Sequence, residues 1–327
     1  MNKITNYGEA INDGFEYLLQ NYPEVFLIGQ GLWSPWYVGN SMKDLDKKFG
    51  TDRVIDSPVS ESAVTGAAVG ASLNGMKPIV IHPRMDFMLY AMDSIVNQAS
   101  KWSHMTGGQA SPGVTIRSII NRGGEQGAQH SQSLHAWFAH IPGLKVVMPS
   151  TPKDARDLLI AATLSKDPVI YIDDRWLYDE SDVIGSIEEI DLNDIGPQYL
   201  KRGNDITIVG CSYSSLLAKK AAEELLKYDI NAEVIDCRII NPFNSDLIND
   251  SLKKTGSLVV IDGGWKTCGL ASEVIASSYE KLPANIFKNM PLRITLPDCP
   301  APTSRELEES YYPNLENIVN QIKSLLK

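Results

Sequence analysis

Short apolar runs rich in β-branched residues alternate, in the first half of the chain, with segments whose apolar positions recur at helical spacing. The runs that predict strands are residues 25–28, 78–82, 114–120, 145–148 and 169–172. Residues 61–73 are predicted to form a helix with Ser60 at its N-cap and Gly75 just past its end, and Pro152 is predicted to open another helix. This alternation is typical of an α/β domain with a parallel sheet and helices on both faces.

The same alternation returns in the second half, after a stretch that interrupts it. Residues 179–203 are acidic, lack periodicity and contain the structure-breaking residues Gly185, Gly196 and Pro197. The later pattern predicts one helix at residues 214–228 and four strands, at residues 206–210, 232–235, 258–261 and 292–295. We therefore predict two domains, residues 1–185 and 204–327, joined by a linker at residues 186–203.

Composition narrows the classes of function. The chain has 327 residues, of which 43% are hydrophobic, enough to build two domain cores. Its net charge of −10 leaves no basic surface, so nucleic acid is not an expected partner. Four widely spaced cysteines without a C-x-x-C pair predict reduced thiols. Because no apolar run approaches the roughly 20 residues of a membrane span and residues 1–10 do not resemble a leader, we expect a cytoplasmic protein.

Three side chains suited to chemistry lie in short motifs. Glu61 opens S-E-S-A-V-T-G-A-A-V-G at residues 60–70, Phe87 lies in M-D-F-M-L-Y-A-M-D-S-I-V at residues 85–96, and His130 lies in G-A-Q-H-S-Q-S-L at residues 127–134. Each has an ordinary explanation when taken alone: an acid favoured by a helix dipole, a core aromatic in a predicted helix at residues 86–103, and a solvated loop histidine. The remaining histidines lack metal-ligand spacing and are predicted to be structural: His82, His104, His135 and His140.

Together the three motifs resemble the β subunit of the first component of 2-oxo acid dehydrogenase complexes, the pyruvate and branched-chain enzymes included. P-G-L-K-V-V-M-P-S-T-P at residues 142–152 and V-V-I-D-G-G-W-K at residues 259–266 extend the resemblance over nearly the whole chain. These enzymes depend on thiamine diphosphate and are part of the transketolase-like superfamily. The resemblance implies two doubly wound α/β domains, a transketolase-like pyrimidine-binding domain followed by a transketolase C-terminal domain.

The resemblance also implies roles for the three side chains. The carboxyl group of Glu61 would hydrogen-bond a pyrimidine ring nitrogen of the coenzyme and promote the tautomer that activates it. Phe87 would stack on the pyrimidine ring. His130 would face the reacting substrate and handle protons, work that suits an imidazole. The small residues of the 60–70 segment would pack closely against a partner chain, although packing within the chain explains them equally well.

One part of such an enzyme is missing from the sequence. The G-D-G segment that holds magnesium and the diphosphate, followed 25 to 30 residues later by an asparagine in the family, does not occur. The resemblance therefore implies an α subunit that carries it, in an α2β2 assembly, with a lipoyl acyltransferase as a further partner. A structural potassium ion of the family would lie on the backbone carbonyls of Val114, Ala162, Thr163, Ser165 and Asp167.

Two segments depart from the family pattern. Residues 27–39 read L-I-G-Q-G-L-W-S-P-W-Y-V-G, where Gln30 replaces an acid and Trp33 and Trp36 add large aromatic surfaces. They serve either packing or a pocket reshaped for a bulkier substrate. Arg122, before His130, is suited to bidentate binding of a carboxylate or phosphate. These differences leave the identity of the small-molecule substrate open.

Three functions remain at this point. The leading hypothesis is decarboxylation of a 2-oxo acid with transfer of the acyl group to a lipoyl carrier. The second is a split transketolase-like enzyme that transfers a two-carbon or acyl unit to an aldehyde or sugar. The third is a non-catalytic interaction subunit, against which the presence of Glu61, Phe87 and His130 argues.

Overall fold

The computed structural model describes residues 3–327, which divide into two compact units. The first unit comprises the chain up to Asn121 and residues Trp137–Ile195. The second unit comprises Arg122–Ala136 and Gly196–Lys327. Residues 1 and 2 lie outside the described residues. The predicted first domain, and the segment searched for a leader sequence, both begin with these two residues. Within residues 3–327, no helix is long and apolar enough to span a membrane.

The first unit alternates strands and helices as the sequence pattern predicts. Its strands are β1 Lys3–Asn6, β2 Val25–Gly29, β3 Val54–Asp56, β4 Lys77–His82, β5 Thr115–Ile120, β6 Lys145–Val147, β7 Val169–Asp174 and β8 Ser181–Ile184. Its helices are α1 Tyr7–Asn21, α2 Pro35–Val38, α3 Leu45–Phe49, α4 Glu61–Leu73, α5 Met85–Met88, α6 Ser100–Met105 and α8 Pro152–Leu164, while α7 His135–Ala139 begins in the second unit and ends in the first.

The strands of the first unit form a parallel sheet in the order β6-β7-β5-β4-β2-β3. From β2 the chain passes to β3 on one side and then to β4 on the other, so the direction of winding reverses between β2 and β4. The connections that follow these two strands therefore diverge at their carboxyl ends and leave a crevice there. Separately, β1 and β8 pair as an antiparallel two-stranded ribbon.

The second unit has its own sheet and core. Its strands are β9 Gln198–Lys201, β10 Ile206–Gly210, β11 Ala232–Asp236, β12 Ile239–Asn241, β13 Leu258–Trp265 and β14 Leu292–Leu296. Its helices are α9 Tyr213–Leu225, α10 Asp246–Thr255, α11 Leu270–Lys281, α12 Arg305–Tyr311 and α13 Leu315–Leu325. The sheet order is β14-β13-β10-β11-β9, parallel except for β9, and α9 and α13 pack over one face of its apolar core. The predicted fold class, two doubly wound α/β domains, is confirmed.

Most predicted elements lie within one or two residues of the observed ones, with two informative differences. The single helix predicted at residues 86–103 is wrong, because the chain forms α5, a 3-10 turn at Leu89–Ala91, a π-helical segment at Asp93–Ala99 and then α6. In the π-helical segment the Ser94 hydroxyl donates to the Ser62 carbonyl of α4 at 3.2 Å. Ser60 does hold the N-cap position of α4, but its side chain makes no capping hydrogen bond.

Regular structure also occurs where the linker was predicted. Residues 186–203 contain a 3-10 turn at Leu192–Asp194 and the strand β9, which pairs with β11. The segment Arg122–Ala136 groups with the second unit, whereas the predicted boundary placed it in the first domain. The predicted limits followed the alternation of strands and helices along the chain. That alternation does not indicate that Arg122–Ala136, in the first half of the sequence, groups with the second unit.

A buried ionic cluster ties the centre of the first unit together. The guanidinium of Arg117 on β5 donates from Nε and Nη2 to the two carboxylate oxygens of Asp173 on β7, each at 2.9 Å. Nη2 also donates to the Ser41 hydroxyl at 2.9 Å and to the Tyr178 hydroxyl at 2.8 Å. Arg117 and Asp173 are both fully buried. A buried charge without its partner is strongly destabilising, so β5, β7 and the turn at Ser41 depend on this cluster.

We expect Asp173→Asn to destabilise the protein, because the substitution leaves the Arg117 charge buried without a counter-ion. The free energy of unfolding, measured by urea denaturation, should fall by about 3–5 kcal/mol. Asp179→Asn, at an exposed position of the same unit, serves as the control and should change it by less than about 0.5 kcal/mol. An Asp173→Asn variant as stable as its control would show that the cluster does not hold the sheet.

A second polar contact sets α4 against the sheet. The Thr65 hydroxyl of α4 lies 3.3 Å from Nε2 of His82, the last residue of β4, and both side chains are buried. Burial lowers the pKa of His82 from 6.5 to about 4. The ring is therefore neutral at pH 7 and acts as a hydrogen-bonding partner without charge.

Because His82 is neutral in the folded chain, we expect the free energy of unfolding to depend on pH. Its pKa in the folded chain lies below its value in the unfolded chain, so the unfolded state takes up the proton first as the pH falls. Relative to His82→Gln, the wild-type free energy of unfolding should drop by about 3 kcal/mol between pH 7 and pH 4. His104→Gln, at an exposed histidine, is the matched control. A pH-independent difference between wild type and His82→Gln would contradict the assignment.

Candidate active site

A pocket lies in the first unit at the crevice where the winding reverses. Three of its walls are the segments that directly follow β2, β3 and β4, and the fourth is the start of α4 with α5. The lining residues are Gly29, Gln30, Tyr37, Ser57, Pro58, Ser60, Glu61, Val64, Val80, Ile81, His82, Pro83, Arg84 and Phe87. Parallel α/β sheets bind ligands at this kind of position.

Glu61 and Phe87, which the sequence motifs singled out, lie together in this pocket. Glu61 is the first residue of α4 and Phe87 the third residue of α5, and both side chains are half-buried. An adjoining hollow is lined by the same two residues together with Val59 and Tyr90. The structure therefore brings a carboxyl group and a flat aromatic ring to one site, although 26 positions separate them in the chain.

Backbone contacts hold the strand ends that shape the pocket. The amide of Gly31 donates to the Asp56 carboxylate at 2.6 Å, and the amide of Ser57 donates to the Gly29 carbonyl at 2.8 Å. Gly31 has a φ of +68°, and a Cβ on it would lie 2.6 Å from the ring of Tyr37. Glycine is therefore required at this position, and the close approach holds Tyr37 against the pocket wall.

Two basic side chains in the wall were not predicted as site residues. His82 ends β4, and Arg84 follows two positions later. The guanidinium of Arg84 donates from Nη1 to the Asn121 carbonyl at the end of β5, at 3.5 Å. Burial lowers the pKa of Arg84, the charge of Asp86 raises it and that of Arg175 lowers it further. The sequence carried a signal for both residues, because His82 is the last residue of a predicted parallel strand and Arg84 lies just after it.

The tryptophans proposed as substrate contacts are not among the residues that line this pocket. Trp33 donates its indole N–H to the Val54 carbonyl at 2.9 Å and is 49% exposed, and Trp36 is 88% exposed. Their neighbour Tyr37 is the aromatic of this segment that does line the pocket. A role for Trp33 and Trp36 in substrate binding stays a prediction.

His130 lies in the second unit, where its amide closes a turn on the Gly127 carbonyl at 3.4 Å. The segment that carries it is fastened to that unit at both ends. Before it, Arg122 is buried and donates to the Gly263 carbonyl at 3.1 Å, and the amide of Glu125 donates to the Glu308 carboxylate at 2.9 Å. Arg122 is thus held within the second unit, and its proposed binding of a substrate anion stays a prediction.

After His130, a cluster of buried polar side chains fastens the same segment to the second unit. The ring of His135 lies 3.0 Å from the Ser133 hydroxyl through Nδ1 and 2.9 Å from the Asp262 carboxylate through Nε2. Burial alone would raise the pKa of Asp262, but His135 and the amides of Gly264 and Ala271 lower it below its ordinary value. Ser133, His135 and Asp262 are all buried, so this cluster fastens the segment that follows His130 within the second unit.

The pocket suits one part of thiamine diphosphate. A half-buried carboxyl beside an aromatic ring fits a flat heteroaromatic ring whose nitrogen needs a hydrogen-bond partner. Within residues 3–327, no group of three or more His, Cys, Asp or Glu side chains is arranged to hold a metal ion. The described residues therefore fit the pyrimidine and provide no metal ligand cluster for the diphosphate.

The carbonyls proposed for potassium are already engaged in part. The Val114 carbonyl accepts from the amide of Val169 at 3.0 Å, as part of the sheet. The ammonium of Lys77 lies at the carboxyl end of α8, 3.4 Å from the carbonyls of Thr163 and Leu164. A cation that belongs to the chain thus contacts the helix end on which the potassium ion was expected.

Comparison with known proteins agrees with the fold of the two units. Residues 3–180 match the family model for the transketolase pyrimidine binding domain, and residues 198–318 match that for the transketolase C-terminal domain. A solved structure, a split gene transketolase described as an inactive β4 tetramer, superimposes with a TM-score of 0.77 over 97% of each chain at 21% identity. That likeness concerns the fold alone.

Curated relatives are similar over nearly the whole chain. The β-2 subunit of the mitochondrial pyruvate dehydrogenase E1 component of Oryza sativa subsp. japonica is 37% identical over 96% of this chain and 84% of the relative. The β subunit of acetoin:2,6-dichlorophenolindophenol oxidoreductase of Bacillus subtilis is 34% identical over 100% of this chain and 98% of the relative. The chain belongs to the family of β subunits of the thiamine diphosphate-dependent first component of 2-oxo acid dehydrogenase complexes.

Proposed function

We propose that this chain, together with an α subunit, decarboxylates a small 2-oxo acid and transfers the acyl group to a lipoyl carrier. The observation that carries the proposal is the placement of Glu61 and Phe87 in one pocket at the winding reversal of the first unit. Membership of the family supports the reaction class. In the overall reaction the C1–C2 bond of the acid breaks and C1 leaves as carbon dioxide. The acyl carbon then joins one sulfur of the lipoyl disulfide, the S–S bond breaks, and the other sulfur keeps that electron pair and takes up a proton, so the acyl carbon is oxidised and the disulfide reduced.

When bound, thiamine diphosphate supplies the nucleophilic carbon that adds to the 2-oxo group. The chain's own residues prepare the site for it. Glu61 would hold a proton against a ring nitrogen of the pyrimidine, and Phe87 would cover one face of that ring and keep water away. His130 would donate and accept protons at the substrate oxygen, and the buried His135–Asp262 pair would keep its loop in position. Glu61 acts on the coenzyme, whereas His130 acts on the substrate.

We also propose partners and ions for this chain. An α subunit would supply the magnesium ligands and the diphosphate site, because the described residues hold no metal cluster. The relatives are themselves named as β subunits, which supports an α2β2 assembly, and a lipoyl acyltransferase would accept the acyl group. We propose a cytoplasmic location for this chain. A potassium ion on the carbonyls near Ser165 and Asp167 would share this helix end with Lys77, which donates to the Thr163 carbonyl.

A second function is favoured by one relative. The Bacillus subtilis protein, which matches this chain end to end, is named for acetoin, a hydroxyketone, and for an artificial electron acceptor. The same pocket would then serve cleavage or formation of a carbon–carbon bond with an aldehyde or sugar, as in a split transketolase-like enzyme. Reduction of a lipoylated carrier domain by the reconstituted αβ enzyme supports the first function, and bond formation without lipoate supports the second.

We expect Glu61→Gln to abolish most activity of the reconstituted αβ enzyme, because an amide cannot exchange a proton with the pyrimidine. Carbon dioxide release from the 2-oxo acid should fall by about 100-fold or more. Glu188→Gln replaces an exposed glutamate of the same unit and should leave the rate unchanged. Full activity of the Glu61→Gln enzyme would favour the non-catalytic interaction subunit.

We expect His130→Asn to slow turnover by about 10²- to 10⁴-fold, because proton transfer at the substrate loses its side chain. Isothermal titration of thiamine diphosphate should show unchanged coenzyme affinity, which separates this effect from that of Glu61. His140→Asn, at an exposed histidine, is the matched control. A loss of coenzyme affinity equal to the loss of turnover would assign His130 to coenzyme binding.

A further inference from the structure

We propose that the second unit serves to position the His130 segment, residues 122–136, and that Glu308 is a positioning residue for proton transfer at His130. The inference deepens the proposed function and rests on it, because it adopts the action of His130 on the substrate. It gives a task to the second unit, which contains neither Glu61 nor Phe87.

The second unit has a reversal of winding of its own. From β10 the chain passes to β11 on one side and later to β13 on the other. The connections that follow β10 and β13 therefore diverge at the carboxyl ends of these strands. Parallel α/β sheets bind ligands at this kind of position. The groups that contact it in this chain thus indicate what the second unit does.

Arg122, at the start of the His130 segment, bonds to this edge of the sheet. Its Nη1 donates at 3.1 Å to the carbonyl of Gly263, which lies past the residues of β13 that pair with β10. Its guanidinium carbon lies 5.9 Å from the ring centroid of Tyr213, the first residue of α9, which follows β10. Arg122 thus contacts both connections that leave the reversal, where a ligand of such a sheet would bind.

His135, near the end of the segment, bonds to the same edge. Its Nε2 lies 2.9 Å from the carboxylate of Asp262, one residue before Gly263. Asp262 also accepts from the amide of Ala271, in the first turn of α11, at 3.1 Å. The segment is therefore joined to the helix that follows β13 as well as to the strand itself.

Two glycines at this edge leave room for the segment. A Cβ on Gly263 would lie 2.9 Å from Nη1 of Arg122. A Cβ on Gly264 would lie 3.0 Å from Cε1 of His135. Both distances are shorter than an ordinary non-bonded contact. The D-G-G-W sequence at residues 262–265, which lacks the context of a magnesium motif, thus fits the close approach of the segment.

Glu308 of α12 holds a turn of the segment between these two contacts. It is buried, and its carboxylate accepts from the amide of Glu125 at 2.9 Å. Glu125 has a φ of +61°, which residues other than glycine rarely adopt. Gly127 also has a positive φ, and a Cβ on it would lie 2.9 Å from the hydroxyl of Thr303. The carboxylate of Glu308 therefore stabilises a strained turn shortly before His130.

These contacts matter for the proposed chemistry because proton transfer depends on geometry. A general acid or base must lie within hydrogen-bond reach of the atom that it serves. A displacement of about 1 Å can lower a rate by about 100-fold. Glu308 is not among the residues that line the pocket of Glu61 and Phe87. Its loss should therefore slow turnover through His130 and leave coenzyme binding unchanged.

The test is a double-variant cycle on the reconstituted αβ enzyme. Carbon dioxide release is measured with pyruvate, 3-methyl-2-oxobutanoate and 2-oxoglutarate, and the best of these acids is used for every variant. Glu308→Ala should lower kcat by about 10- to 100-fold when His130 is present. In the His130→Asn enzyme the same substitution should change the residual rate by less than about twofold, because the histidine through which it acts is gone.

Matched variants assign the effect to the bond with Glu125. Glu308→Gln retains an oxygen that accepts from this amide and should recover most of the loss. Glu309→Ala removes an exposed glutamate of the same helix and should behave like wild type. Isothermal titration should give the same affinity for thiamine diphosphate in all of these enzymes.

A second variant makes the comparison independent of the folding of Glu308→Ala. Gly263→Ala pushes the guanidinium of Arg122 aside, so it disturbs the segment at a different contact. It should lower kcat by about 10-fold in the presence of His130 and leave the residual rate of His130→Asn unchanged.

The outcomes separate this inference from the proposed function. A wild-type rate in both Glu308→Ala and Gly263→Ala would overturn the inference and leave the proposed function standing. Equal losses with and without His130 would do the same, since they indicate a general loss of structure. A wild-type rate in His130→Asn would overturn the proposed role of that histidine and this inference with it. Decarboxylation of none of the three acids would overturn both.

Discussion

The reversal of winding between β2 and β4 is the constraint on which the rest of the first unit depends. Parallel strands put their carboxyl ends at one edge, and the chain that leaves β2 and β4 in opposite directions keeps that edge open. The pocket lies there because no connection crosses it. Glu61 and Phe87 reach it only because α4 and α5 begin where the chain returns from β3 and β4.

Buried polar contacts hold segments of each unit in place. In the first unit, Arg117 and Asp173 join two central strands, and Thr65 with His82 sets α4 on β4. In the second unit, the contact between His135 and Asp262 fastens the loop that carries His130. Each of these groups is paired where water is excluded, and a buried pair is costly to break from one side. The segments that carry Glu61 and His130 are thus held in place by buried polar contacts.

Local sequence patterns predicted the elements that depend on residues near one another in the chain. The strands and α4 followed from apolar periodicity and from turn residues such as Gly75. Glu61 and Phe87 were singled out by the resemblance of their motifs to a known family, and the structure places both in one pocket. Contacts between distant residues were beyond reach: Asp262 lies 127 positions from His135, and no pattern in either segment indicates the other. The π-helical segment at Asp93–Ala99 also escaped prediction, because its apolar spacing resembles that of an ordinary helix. Arg84 and His82 were overlooked, although they lie at the carboxyl end of a predicted parallel strand, where such sheets bind ligands.

The central claim is that this chain supplies the activating acid while another chain anchors the charged end of the coenzyme. Isothermal titration of thiamine diphosphate with magnesium into this chain alone, into the α subunit alone and into the mixture tests it most directly. The account predicts tight binding in the mixture and at most weak binding to either chain alone. Tight, magnesium-dependent binding to this chain alone would contradict it.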